Sequence, residues 1–267
     1  VHSSPDPVDL RALESLFAFW RDAGVEAAFA DEPVDRTLAP PRPEPAKPVL
    51  QAVSPVLRGA PDLSDALLEA RRLAADAQSL EQLEAALASF ETCPLAYEGA
   101  KRPVFMRGST TPDVVVIGEA PSADDEAQGR PFAGAPGRLL DRMLAAAGLT
   151  ERALITHTVF WRPPGDRPPS PQEQDVCAPF LERTISLTRP RLLLVVGAAS
   201  ARSVLKKDEG ILSLRGRWGE WRAEDGALAL PALPTLHPAF LLRQPLAKKK
   251  AWADLLSLTA RLDPLAS

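Results

Sequence analysis

Four short apolar runs, VVVIG at 114–118, ALITHTVFW at 153–161, RLLLVVG at 191–197 and ALALPALPTLHP at 227–238, alternate with segments of helical pattern: GRLLDRMLAAAG, SPQEQDVCAPFLERTISL and AASARSVL. Apolar runs of this length, bounded by turn residues, read as strands, and their alternation with helices predicts a parallel, doubly wound α/β sheet. Ligands of such sheets bind at the carboxyl ends of the strands. That directs attention to the residues just after Ile117, around His157, after Val196 and around His237.

The rest of the 267-residue chain divides by pattern. Residues 8–29 carry Leu10, Leu13, Leu16, Phe17 and Trp20 at helical spacing, with Gly24 placed to end the helix, so 1–31 reads as an N-terminal helical arm suited to binding another protein. From 32 to 62 prolines recur with little apolar periodicity, a composition that resists both helix and strand and reads as a linker. Helical pattern returns near Leu63, with Ser79 capping LEQLEAALASF, and 63–267 is expected to form the α/β domain.

A net charge of −4 excludes a protein drawn to polyanions by its whole charge, so any contact with nucleic acid must come from a local basic face. Two cysteines fit a reducing compartment. No run approaches the length of a membrane span and the first residues lack signal-peptide character, so a cytoplasmic monomer without membrane association is expected.

The stretch from Gly118 to Leu144, GEAPSADDEAQGRPFAGAPGRLLDRML, lies between a strand and a helix. It lacks both the G-x-G-x-x-G of dinucleotide sites and the terminal Gly-Lys-Ser/Thr of a phosphate loop. Asp124, Asp125 and Glu126 are consecutive and unaccompanied by histidine, which favours a solvated acidic turn over a metal site.

Taken whole, the phrase Gly-Glu-Ala-Pro, acidic turn, Gly-Arg-Pro-Phe and Gly-x-x-Gly-Arg-Leu-Leu resembles the first motif of the uracil-DNA glycosylase superfamily, family 4 above all. ITHTVFWRPPGDRPPSPQEQDVCAPFL, RPRLLLVVGAASARSVL and TLHPAFLLRQP are similar to its later blocks, in the same order, from about Phe90 onward. The resemblance implies a three-layer αβα fold around a central, mostly parallel four-stranded sheet, to which this chain adds its N-terminal helical arm. It also implies a base-excision enzyme that removes uracil from single- or double-stranded DNA.

Cleaving an N-glycosidic bond leaves positive charge on the sugar and negative charge on the base, and the base must first leave the stack. By resemblance, Phe132 stacks on the flipped base and His237 donates to its carbonyl oxygen, in a pocket completed by Gly118, Ala120 and His157. Ala120 stands where other superfamily branches carry an aspartate. That leaves Glu119 and Asp125 as the carboxylates able to orient water or offset the cation, without ranking them. Arg162, Arg167, Arg243 and Lys248, with Lys249 and Lys250, are expected to grip phosphates, and Leu241 or Leu242 to fill the vacated stack. For the lysines, a solvated helix start is the competing reading.

Family 4 enzymes hold a [4Fe-4S] cluster on four cysteines. The matching positions here are Phe90, Cys93, Trp161 and Cys177, so no cluster is expected and the vacated volume should be filled by apolar packing. His157 replaces an asparagine usual in the family, which implies either altered base readout or a satisfied buried histidine. The expected function is monofunctional glycosylase activity; the alternative is a weakened or inactive protein of the same fold that binds uracil-containing DNA.

Overall fold

The computed structural model describes residues 62–263; the arm at 1–31 and the linker at 32–62, except its last residue, lie outside the described residues. Helices α1 (Leu63–Asp76), α2 (Leu80–Ala88) and the short α3 (Pro94–Tyr97) precede the sheet. Then follow β1 (Met106–Gly108), β2 (Val114–Gly118), α4 (Ala123–Gln128), α5 (Ala135–Ala146), β3 (Ala153–His157), α6 (Pro171–Thr188), β4 (Leu192–Val196), α7 (Ala198–Leu205) and α8 (Ile211–Leu214). The chain closes with β5 (Gly219–Arg222), β6 (Ala229–Thr235), α9 (Pro238–Arg243) and α10 (Lys248–Leu262).

The strands form one sheet in the order β1-β3-β2-β4-β6-β5. The inner four, β3, β2, β4 and β6, are mutually parallel, as the apolar runs predicted. The expected four strands become six because two short antiparallel strands, β1 and β5, border them. Their polar, alternating sequences MRG and GEWR carry none of the continuous apolar character of a buried parallel strand.

Every residue of β2, β3 and β4 is buried, because both faces of the sheet are covered. Val115, Ile117, Leu154, Leu193 and Val195 pack in one core cluster with α1, α2, α6 and α7. The alternate residues Val114, Val116, Ile155, Leu192 and Leu194 pack with Leu140 and Leu144 of α5 and with Leu255, Leu258 and Leu262 of α10. The result is the three-layer αβα arrangement.

Phe90, Cys93, Trp161 and Cys177 share the first of these clusters and are all buried. The Phe90 ring meets Trp161 edge-on at 5.8 Å and Phe180 at 5.4 Å. The thiols of Cys93 and Cys177 lie within hydrogen-bond reach of each other, and that contact lowers the pKa of Cys93 while raising that of Cys177. Two cysteines with two aromatic rings in the remaining positions do not form the donor set of a four-cysteine cluster, so the residues present do not fit one. The rings hold α2, the strand that becomes the loop after β3, and α6 together by packing.

Among the described residues no helix is long and apolar enough to cross a membrane.

If the aromatic contact carries the packing here, Trp161→Ala should lower unfolding stability by about 3–5 kcal/mol in urea titration. Cys93→Ala, which removes a much smaller side chain, should cost clearly less.

Candidate active site

The parallel register places Gly118, the last residue of β2, beside His157, the last of β3. On the other side of β2, Val196 of β4 pairs with Thr235 of β6, and His237 follows two residues later as the N-cap of α9. The carboxyl ends of the four parallel strands therefore converge on Gly118, His157 and His237, joined from above by Phe132.

Phe132 stacks on His157 with ring centroids 4.9 Å apart and on His237 at 5.6 Å. The approach is close enough that a Cβ on Gly118 would stand 2.6 Å from both Phe132 Cζ and His157 Nδ1, so only glycine fits. Phe132 itself takes a left-handed backbone conformation, φ 53°, uncommon for an aromatic residue and typical of strained positions in functional loops. Several contacts hold it there. A Cβ on Gly137 would lie 1.6 Å from the Phe132 carbonyl oxygen, which lets α5 press directly on the loop. Arg107 of β1 donates to the Pro131 carbonyl at 2.6 Å and to Asp141 of α5 at 2.6 Å.

Asp125 closes the same loop from inside. With Ser122 it forms the capping box of α4, its Oδ2 accepting from the Ser122 N–H at 3.0 Å, while Oδ1 accepts from the Ala133 N–H at 2.6 Å. Its Oδ2 also lies 3.5 Å from His157 Nε2. Burial raises the Asp125 pKa, but the contacts to His157, Ser122 and Ala133 outweigh it and leave the pKa below the usual value. Glu119 is different: half-buried, with its pKa raised by burial against the opposing charge of Arg202, and its side chain makes no hydrogen bond among the described residues. Ala120, beside it, is part-buried.

The Ala239 N–H donates to His237 Nδ1 at 3.2 Å, so the neutral ring carries its hydrogen on Nε2 and offers it as a donor. Burial, with the neighbouring His157 and the charge of Arg243, pushes its pKa down to about 4. The end of β6 that carries His237 is anchored through Thr235, whose hydroxyl donates to Asp254 of α10 at 2.7 Å, and through the ion pair of Asp254 with Arg215.

Two comparisons bear on this arrangement. Residues 105–256 match the family model for the uracil DNA glycosylase superfamily. The chain belongs to that superfamily. It is similar to proteins named type-4 uracil-DNA glycosylase from Pyrobaculum aerophilum (30% identical over 181 residues, 66% of this chain and 91% of the relative). Others of that name are from Sulfurisphaera tokodaii (30% over 177 residues, 64% and 79%) and Thermotoga maritima (32% over 153 residues, 57% and 77%).

The family resemblance brought Gly118, Phe132, His157, His237 and Asp125 into view, and the structure brings all five together. It does not do so for every residue expected to touch DNA. Leu241 is fully buried against Leu139, Leu236 and Ala251, so it cannot enter a base stack; Leu242 is 40% exposed and Leu246, in the turn before α10, is 95% exposed. Arg167 is likewise committed elsewhere, paired to Glu173 at 2.6 Å and Glu98 at 2.8 Å, where it fastens the start of α6. Arg162 pairs with Asp166 at 2.7 Å and with Glu126 at 3.7 Å. Arg243 and Lys248 are exposed and make no ion pair among the described residues. Arg107 and Gly137 escaped the sequence reading: Arg107 sits on an edge strand outside the motifs, whereas Gly137 stood within one as the second glycine of GAPG.

The three rings are closed over each other, Phe132 4% and His157 1% exposed, so a base can enter only if the stack opens. Cavities of 540 Å³ between α1, α6 and β5, and of 380 Å³ between α5 and α10, are not lined by these rings.

A histidine whose folded pKa lies below its unfolded value of about 6.5 stabilises the protein fully above that pH and loses the contribution as pH falls toward the folded value. For His237 the window is pH 6.5 to about 4. Allowing for its partial exposure, chemical denaturation should register a loss of about 2–3 kcal/mol across that window, and the loss should shrink in His237→Gln.

Proposed function

We propose that this chain is a monofunctional DNA glycosylase that flips a deaminated base, chiefly uracil, from DNA and hydrolyses its N-glycosidic bond. The observation that carries the reading is the His237 ring, a neutral Nε2–H donor fixed by the Ala239 N–H and set against the Phe132 ring. A fixed donor stabilises negative charge developing on a base carbonyl without first acquiring a proton from solvent. Phe132 supplies the stacking surface once its stack opens, and Gly118 and Ala120 leave room beside it.

Of the two carboxylates, Glu119 is the one free to orient the attacking water or offset the cationic sugar. Both oxygens of Asp125 are already engaged, which makes it a positioning residue. Arg243 and Lys248 are the cations available for phosphates, with Arg162 and Arg167 each reaching DNA only by releasing two carboxylates. The names of the superfamily relatives support the substrate. We further propose a cytoplasmic monomer that uses no metal cluster, its N-terminal arm serving to bind another protein. Purified protein should then contain no iron and elute at monomer mass.

The test is incubation with a uracil-containing oligonucleotide, single-stranded or paired with guanine or adenine, followed by alkali to reveal abasic sites. His237→Ala should slow cleavage by about 10²–10³-fold, as loss of a fixed donor to a developing oxyanion does. Glu119→Gln should slow it as well, with base affinity retained. The closed ring stack favours one second reading, a weakened enzyme that retains binding. Its mark would be a salt-sensitive gel shift with uracil-containing DNA and no abasic product.

A further inference from the structure

His157 is the one buried side chain among the described residues whose polar atoms find no hydrogen-bond partner, at either ring nitrogen. Buried polar groups are rarely left so, because the cost of desolvation goes uncompensated. The two nitrogens nevertheless face different surroundings. Nε2 looks at Asp125 Oδ2 across 3.5 Å, too long for a full hydrogen bond but close enough for the carboxylate to decide which nitrogen bears the hydrogen. That carboxylate is held in place by the N–H groups of Ser122 and Ala133, and as an ion it can only accept. The hydrogen of the neutral ring therefore sits on Nε2. Burial keeps the ring neutral, lowering its pKa against the pull of Asp125.

Nδ1 is left as a lone pair. It stands over Gly118, 2.6 Å from where a side chain there would begin, and no protein donor reaches it. His237, the second imidazole against Phe132, presents the complementary group: its Nδ1 is taken by the Ala239 N–H, so it offers Nε2–H. Phe132 is thus flanked by one fixed acceptor and one fixed donor.

Resting on the glycosylase reading above, we propose that His157 and His237 together recognise a lactam edge, a ring N–H beside a carbonyl. The N–H donates to His157 Nδ1 and the carbonyl accepts from His237 Nε2, and Asp125 is the positioning residue that holds His157 in the accepting tautomer. Uracil offers this edge at N3–H and C2=O. Cytosine presents a ring-nitrogen lone pair to the Nδ1 lone pair and is rejected. Selection acts on the ring N–H, and the exocyclic oxygen at C4 of uracil is not read by either imidazole. Substrates are therefore uracil and analogues altered at C4 that keep N3–H and C2=O.

The experiment uses the full-length protein and two readouts. In ¹⁵N NMR of the histidine rings, assigned with His157→Phe and His237→Gln, His157 Nδ1 should appear unprotonated at neutral pH, and protonated in Asp125→Asn. In excision assays on single-stranded oligonucleotides, uracil and 4-thiouracil should be processed. Cytosine and 3-methyluracil, which lack the N–H, should be at least ~100-fold slower, as expected when a site built around a hydrogen bond meets an analogue without it. A protonated Nδ1 in the wild type, or 3-methyluracil removed as fast as uracil, overturns the proposal. If uracil itself is not excised, the glycosylase reading fails, and the NMR decides the inference separately. A shift of the His157 Nδ1 resonance with free uracil but not with free 3-methyluracil supports it, and equal or absent responses to both overturn it. Should Asp125→Asn fail to fold, the wild-type tautomer and base series are sufficient.

Discussion

The site depends on the register that sets Gly118 beside His157 at the ends of two parallel strands, closed by the Thr158 N–H donating to the Gly118 carbonyl. Parallel strands in register deliver their last residues to the same level, and a glycine at that level leaves an opening one side chain wide. Phe132 and the imidazole of His157 both press into that opening. Any other residue at 118 would separate the rings, so the ring stack is a consequence of sheet register as much as of the loop that carries Phe132.

That loop is held by independent restraints that converge on a few backbone atoms. Asp125 caps α4 and ties down Ala133, Arg107 reaches across from the edge strand to Pro131, and Gly137 brings α5 against the Phe132 carbonyl. A left-handed backbone at Phe132 persists only under such over-determination. The edge strand β1, which has no apolar signature, thereby contributes a side chain to the support of the central loop.

The parallel strands were legible in sequence because burial on both faces demands unbroken apolar runs, and VVVIG and RLLLVVG are such runs, set between segments of helical pattern. The edge strands were not, since MRG and GEWR are short and half polar. Within the site, the motif residues Gly118, Phe132 and His237 could be named from resemblance, but the division of labour between Glu119 and Asp125 could not. It turns on which carboxylate oxygens are already hydrogen-bonded, and that is fixed by the turn geometry of SADDEAQ rather than by residue type. Leu241 and Arg167 illustrate the same limit. A leucine in LLR and an arginine in GDR look available, until the phase of a six-residue helix buries the first and two carboxylates capture the second.

The contact of Phe90 with Trp161 and Phe180 also determines what the fold is sensitive to. Its strength derives from removing apolar surface from water and from close ring packing, so it weakens on cooling and in urea and is indifferent to chelators. A junction made of thiolates and metal responds instead to oxygen, to metal supply and to the order in which chain and ion meet. Here α2 and α6 are joined by ring contacts among Phe90, Trp161 and Phe180, groups that every copy of the chain carries in its own sequence.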